Sequence, residues 1–169
     1  MGVFNVIYDA SVLTTLRTLG ALSNILTKAE AHCTTRKIDP AALLNFRLFP
    51  DMMTFTKQVQ LACDFAARSA SRLAGDDVPS FPDTETSFAE LQARITAAKA
   101  HISAYTPDRF ADAASRSITL KARGTDMVMT GLQFLTVYSQ PQFYFHVTTA
   151  YNILRHNGVE IGKMDYMAA

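Results

Sequence analysis

His146 is the side chain of this sequence best placed to do chemistry. It shares a helical face with Phe143, Ala150 and Ile153, so its imidazole points into an apolar interior or to its edge. An imidazole there can serve as a general base, a metal ligand or an anchor for a bound molecule; the competing reading is a satisfied core histidine. Polar groups at Gln58, Gln60, Asp64 and Gln142 also lie on otherwise apolar helix faces. With His146 they form a candidate small-molecule pocket between the second and fourth long helices.

A metal centre needs three or four converging N, O or S donors. The other histidines, His32, His101 and His156, show no four-residue pairing with one another or with His146. His32 and His156 fall near helix ends, where a cation suits the helix dipole, and His101 flanks a core stripe and reads as exposed. Asp51 is a first-turn dipole partner within reach of Arg47, and Asp64 either faces a pocket or pairs with Arg68 one turn on. Cys33 and Cys63 lack the Cys-x-x-Cys spacing, which predicts two reduced thiols, and Cys63 has no basic neighbour in sequence to make it reactive. There is no Gly-x-Ser-x-Gly elbow and no phosphate-cradling glycine loop. Tyr144 and Tyr151, seven apart on one face, suit packing against a second subunit, so a homodimer is expected.

Four long segments must position these groups. Val12, Leu16, Leu19, Leu22, Leu26, Ala29 and Cys33 mark a first helix over about 9–34, capped by Asp9 or Ser11. Asp39-Pro40 predicts a short helical turn over 40–45. Pro50 opens a second long helix, 50–74, with Gly75 at its end. After a loop rich in Asp, Pro, Ser and Thr, Ser87 and Glu90 form a capping box for a third helix, 87–106. Alternation about Ile118 and Leu120 predicts a β-hairpin over 117–129. Thr130 caps a fourth helical region, 130–157, which Pro141 kinks or divides, and an extended arm follows Gly158.

The sequence has 169 residues, 49% of them apolar and 18% charged, with a formal charge of +1. That is the balance of one globular domain, 1–169, and it offers no field for nucleic acid or an anionic membrane. No apolar run spans a bilayer and no signal peptide is visible, so a cytoplasmic location is expected.

Arg36-Lys37-Ile38-Asp39-Pro40, Phe49-Pro50-Asp51-Met52 and Phe145-His146-Val147-Thr148-Thr149-Ala150-Tyr151, with the helix order and the hairpin before helix four, resemble the DinB/YfiT-like four-helix bundle superfamily. The closer likeness is to its uncharacterised branch, a domain of unknown function, and covers nearly the whole chain. The resemblance implies an all-α four-helix bundle with a small β-hairpin between helices three and four. The wider superfamily holds a divalent metal on three histidines, and several members are thiol-dependent transferases or isomerases. By position only His146 matches a family ligand. His146 matches the second helix-four ligand; Gln142 stands where its partner four residues earlier would be, and Gln58 or Gln60 where helix two would supply the third.

The sequence therefore predicts a small-molecule-binding or interaction bundle with a degenerate metal site and no cofactor. The alternative is a metal-assisted thiol-dependent transferase or isomerase.

Overall fold

Asn5 opens the first helix: its side-chain oxygen accepts from the Tyr8 amide at 3.1 Å. The computed structural model describes residues 5–122 and 124–167. Helix α1 runs without a break through Val6–Tyr8, a π-helical stretch Asp9–Leu13, and Thr14–Arg36. It starts earlier than its Asp9 or Ser11 cap would place it; the Ser11 hydroxyl instead donates back to Ile7 O at 2.6 Å. The helix ends on Lys37, which takes the left-handed conformation at φ 57°.

Asp39 caps the short helix α2, Pro40–Leu44. Helix α3 is Phe55–Ala74, five residues later than Pro50 suggests. Pro50 belongs to a turn closed by Met52 N–H to Phe49 O, and Thr54 caps the helix instead. Helix α4 is Phe88–Ser103, and both halves of the Ser87–Glu90 capping box are present. A 3-10 turn, Pro107–Phe110, follows. Strands β1, Ser117–Ala122, and β2, Thr125–Thr130, pair antiparallel with Ser117 opposite Thr130. Gly124 turns between them at φ +81°; Arg123 beside it lies outside the described residues.

Helix α5 comprises Gly131–Gln133, a π-helical stretch Phe134–Ser139, and Gln140–His156. Thr130 caps it with a reciprocal bond to Gln133. Pro141 does not divide the helix. The wider π turn lies just before it, where the regular ladder must absorb a residue with no N–H. Beyond Gly158, where an extended arm was expected, residues Lys163–Met167 form helix α6 against α1, tied by a Lys28–Asp165 ion pair of 2.6 Å.

The bundle has α3 at its centre of contact. It packs on α4 along one side and α5 along another, while α1 closes the ring against both. Most of α3 is buried, and none of its residues is fully exposed. Alanines 62, 66, 67, 70 and 74 let neighbouring backbones approach it closely. Gly131 is a second close approach, because a Cβ there would fall inside the envelope of the Ala113 carbonyl oxygen. Gly131→Ala is therefore expected to destabilise the fold by about 1–3 kcal/mol in urea unfolding. Gly162→Ala, with nothing within 4 Å of the added carbon, should move the midpoint little.

Candidate functional site

Helices α3 and α5 run antiparallel and meet through their polar positions. The Ser139 hydroxyl donates to Ser69 Oγ at 2.5 Å at one level, and His146 meets Gln58 at another. The imidazole Nδ1 lies 2.7 Å from Gln58 Oε1, while Gln58 Nε2 donates to Met53 O at 3.3 Å. The glutamine's nitrogen is thus committed to a carbonyl, so its oxygen must accept from Nδ1–H. The proton sits on Nδ1 and the lone pair on Nε2.

Packing holds the ring in place. It stacks on Phe65 at 5.5 Å and 14°, and Phe145 meets it edge-on at 5.3 Å. Burial lowers the His146 pKa to about 4, so the imidazole is neutral at neutral pH. Among the described residues Nε2 has no hydrogen-bond partner, and neither has the Gln142 amide, one turn earlier on α5 and half-buried. Neither belongs to the buried polar atoms left orphaned, so both reach the surface.

Gln60 and Asp64 belong to a different cluster, facing α4. The residue that organises them, Arg94, was missed in the sequence. Its Nη2 reaches Asp64 at 2.6 Å and Asp83 at 3.2 Å; its Nη1 reaches Glu85 at 3.0 Å and Pro82 O at 2.9 Å. Phe81 lies under the guanidinium at 5.1 Å, and Gln60 donates to the other Glu85 oxygen at 2.8 Å. Burial pulls the Arg94 pKa down, but the bonds to Glu85 and Asp64 outweigh it and hold the pKa above its ordinary value. Asp64 also pairs with Arg68 at 2.9 Å. The readable signal for Arg94 was its place on the core stripe of α4, three residues after Leu91, downstream of an acidic, proline-stiffened loop.

Other readings resolve individually. His101 is half-buried rather than exposed, with Nε2 2.8 Å from Ser71 Oγ. This is no nucleophile pair: Ser71 is fully buried, its proton goes to Ala67 O, and its Oγ accepts from the Tyr105 hydroxyl at 3.1 Å. Cys33 and Cys63 are buried and unpaired, and burial pushes the Cys63 thiol up to about 12. Arg47 donates to Pro50 O. Tyr144 is half-buried beside Phe143, and Tyr151 meets Tyr166 of α6 edge-on at 5.9 Å. The exposed large apolar residues of α5 are Leu132, Val137 and Phe145.

The three-histidine metal site of the wider superfamily does not fit this donor set. Gln58 Oε1 is engaged by the imidazole, which leaves one nitrogen and the Gln142 amide. Among the described residues no group of three His, Cys, Asp or Glu side chains could hold an ion. Broad clefts lie elsewhere, of about 720 Å³ beside Lys28, His32, Arg36 and Glu160, about 600 Å³ beside Arg17 and Lys99, and about 520 Å³ beside Gln60, Lys57 and Asp83.

The depressed His146 pKa has a consequence for stability. Between pH 6.5 and about 4 the unfolded chain binds a proton that the folded chain does not. Stability therefore falls as pH drops through that window, by about 1–3 kcal/mol from this residue. Urea midpoints at pH 7 and pH 4.5 should show the loss, and it should shrink in His146→Gln. An equal pH dependence in both proteins would refute the assignment.

No curated protein matches this chain. Residues 7–167 match the family described as "Domain of unknown function (DUF1993)". Among solved structures, the chain is similar to the crystal structure of a DinB family member protein from Shewanella denitrificans. The two are 41% identical with a TM-score of 0.91, over 96% of this chain and 92% of that one. No described helix is long and apolar enough to cross a membrane. A four-helix bundle with a hairpin before its last helix, matched over nearly its whole length, belongs to the DinB-like DUF1993 family.

Proposed function

We propose that the protein is a small-molecule-binding bundle whose site is the α3–α5 groove at His146, with the superfamily metal position degenerate. One observation carries this reading. A neutral imidazole is locked in position by Gln58 and Phe65, and among the described residues its remaining lone pair at Nε2 meets no donor. Such a group is a fixed hydrogen-bond acceptor, with Gln142 one turn away as a second polar contact. Phe145, 54% exposed, lines the rim with an apolar surface.

The test is a fragment screen read by the ring nitrogens of His146 in 15N NMR. Fragments that carry a donor are expected to shift Nε2 far more than Nδ1, and His146→Phe should abolish their binding. A library that moves neither nitrogen would remove the proposal.

The second reading, a metal-assisted thiol-dependent transferase or isomerase, draws on the same tautomer. An Nδ1–H donated to an oxygen is the arrangement that presents Nε2 to an ion. The donor set beyond Nε2 is too sparse for a firm grip, so protein purified without chelators is expected to carry no stoichiometric zinc or nickel. Its melting temperature should not rise when either is added. One bound metal per chain with a raised melting temperature would reverse the ranking.

A further inference from the structure

Beyond its first turn, α3 leaves only Leu61, Phe65, Arg68 and Arg72 partly exposed. They follow steps of four, three and four, which is one stripe, and it lies on the side of α3 where Phe65 stacks on His146. Two guanidiniums therefore stand one helical turn apart beside the site.

They are not equivalent. Arg68 is paired with Asp64 at 2.9 Å. Arg72 has no carboxylate partner among the described residues. The surrounding charges do not supply one: Lys57, Arg68 and Arg94 are already matched to Asp64, Asp83 and Glu85. The excess positive charge of this cluster falls on Arg72. Burial and the adjacent Arg68 charge lower its pKa, and Tyr138 opposes them. A half-buried cation held against a like charge is a group that an incoming anion would relieve.

A row of ring contacts runs along this side of α3 and α5 from Phe134 to His146. Tyr138 stacks on Phe134 at 5.9 Å and meets Phe65 at 6.2 Å, and Phe65 stacks on His146 at 5.5 Å. A cation thus stands at one end, a lone-pair acceptor at the other, and flat apolar surface lies between. Seven residues separate Phe65 from Arg72, about 10 Å along the axis, a span that the arginine side chain shortens.

We infer that the groove takes a small aromatic carboxylate. Its acid group lies on the Arg72 fork with Arg68 beside it, its ring rests against Phe65 and Tyr138, and a hydroxyl or amine at the far end donates to His146 Nε2. A guanidinium suits this task because it meets a carboxylate with two parallel N–H donors. This assignment rests on the reading of His146 as a ligand contact, and names the class of ligand.

The probes are 4-hydroxyphenylacetate, its neutral amide 4-hydroxyphenylacetamide, and inorganic phosphate, each titrated into 15N-labelled protein. The acid is expected to shift both His146 Nε2 and Arg72 Nε. The amide should bind at least tenfold more weakly than the acid, and phosphate should not reach His146. Arg72→Gln should weaken the acid at least tenfold and leave the amide unchanged. Arg72→Lys, which keeps the charge without the fork, should fall between and serves if the glutamine variant does not fold. Equal binding of acid and amide, with His146 shifted by both, would overturn the anion assignment while leaving the His146 site standing. Phosphate binding as tightly as the acid would also overturn it, as a bare anion site. No response at His146 to either aromatic compound would overturn both readings.

Discussion

The Arg94 guanidinium is the constraint around which this bundle is arranged. It sits in the protein interior with its side chain 2% exposed, and such a charge is tolerable only with partners. Asp64 comes from α3; Asp83, Glu85 and the Pro82 carbonyl come from the loop before α4. That loop has no helix or strand of its own, yet three of its residues are bound to one side chain. Removing the guanidinium would leave the Glu85 carboxylate, its side chain 10% exposed, without its cation, a penalty of about 3–5 kcal/mol for buried pairs. The α3–α4 seam and the path of the loop are therefore a single electrostatic unit.

That unit sets the rotation of α3 about its axis. With Asp64 turned to Arg94, the residues on the α5 side are Gln58 and Ser69, and the stripe left over is Leu61, Phe65, Arg68 and Arg72. The π-helical stretch of α5 acts in the same direction. It places Ser139 opposite Ser69 and still brings His146 down to Gln58 on the same helix pair. The histidine is tolerated in the interior because Gln58 satisfies its Nδ1–H, and it stays neutral because burial disfavours the imidazolium.

Local chemistry explains what was legible in the sequence. The Ser87–Glu90 box and the Thr130 cap are complete within four residues, so they can be read without knowing the fold. The start of α3 was not legible that way. Pro50 and Thr54 are both sound opening residues, and the choice depended on Phe55 N–H reaching the Phe46 carbonyl. Asn5, which caps α1, precedes an apolar stripe that seemed to begin only at Val12. Arg94 was hidden for a deeper reason: its three carboxylates lie on two elements, and only tertiary packing brings them together. The same holds for the candidate pocket. Gln58 and Gln60 are two apart and look interchangeable as companions of His146, but two residues on a helix is about 200° of rotation. Gln58 faces α5 and Gln60 faces Glu85.

The tautomer of His146 bears on both functional readings and does not choose between them. A lone pair on Nε2 can ligate an ion or accept a proton donor from an organic molecule, and in each case Gln58 has the same positioning role. What separates the two is the rest of the site. An ion needs further donors converging on one point within bonding distance, and this groove offers a single nearby amide. An organic ligand needs surface spread over several ångströms, with polar contacts at its ends. Phe65, Tyr138 and Phe145 supply the surface, and the unmatched charge of Arg72 lies at the end away from the imidazole. On the proposed reading these groups are spread out where a metal centre is convergent, which suits a bound molecule better than a bound ion.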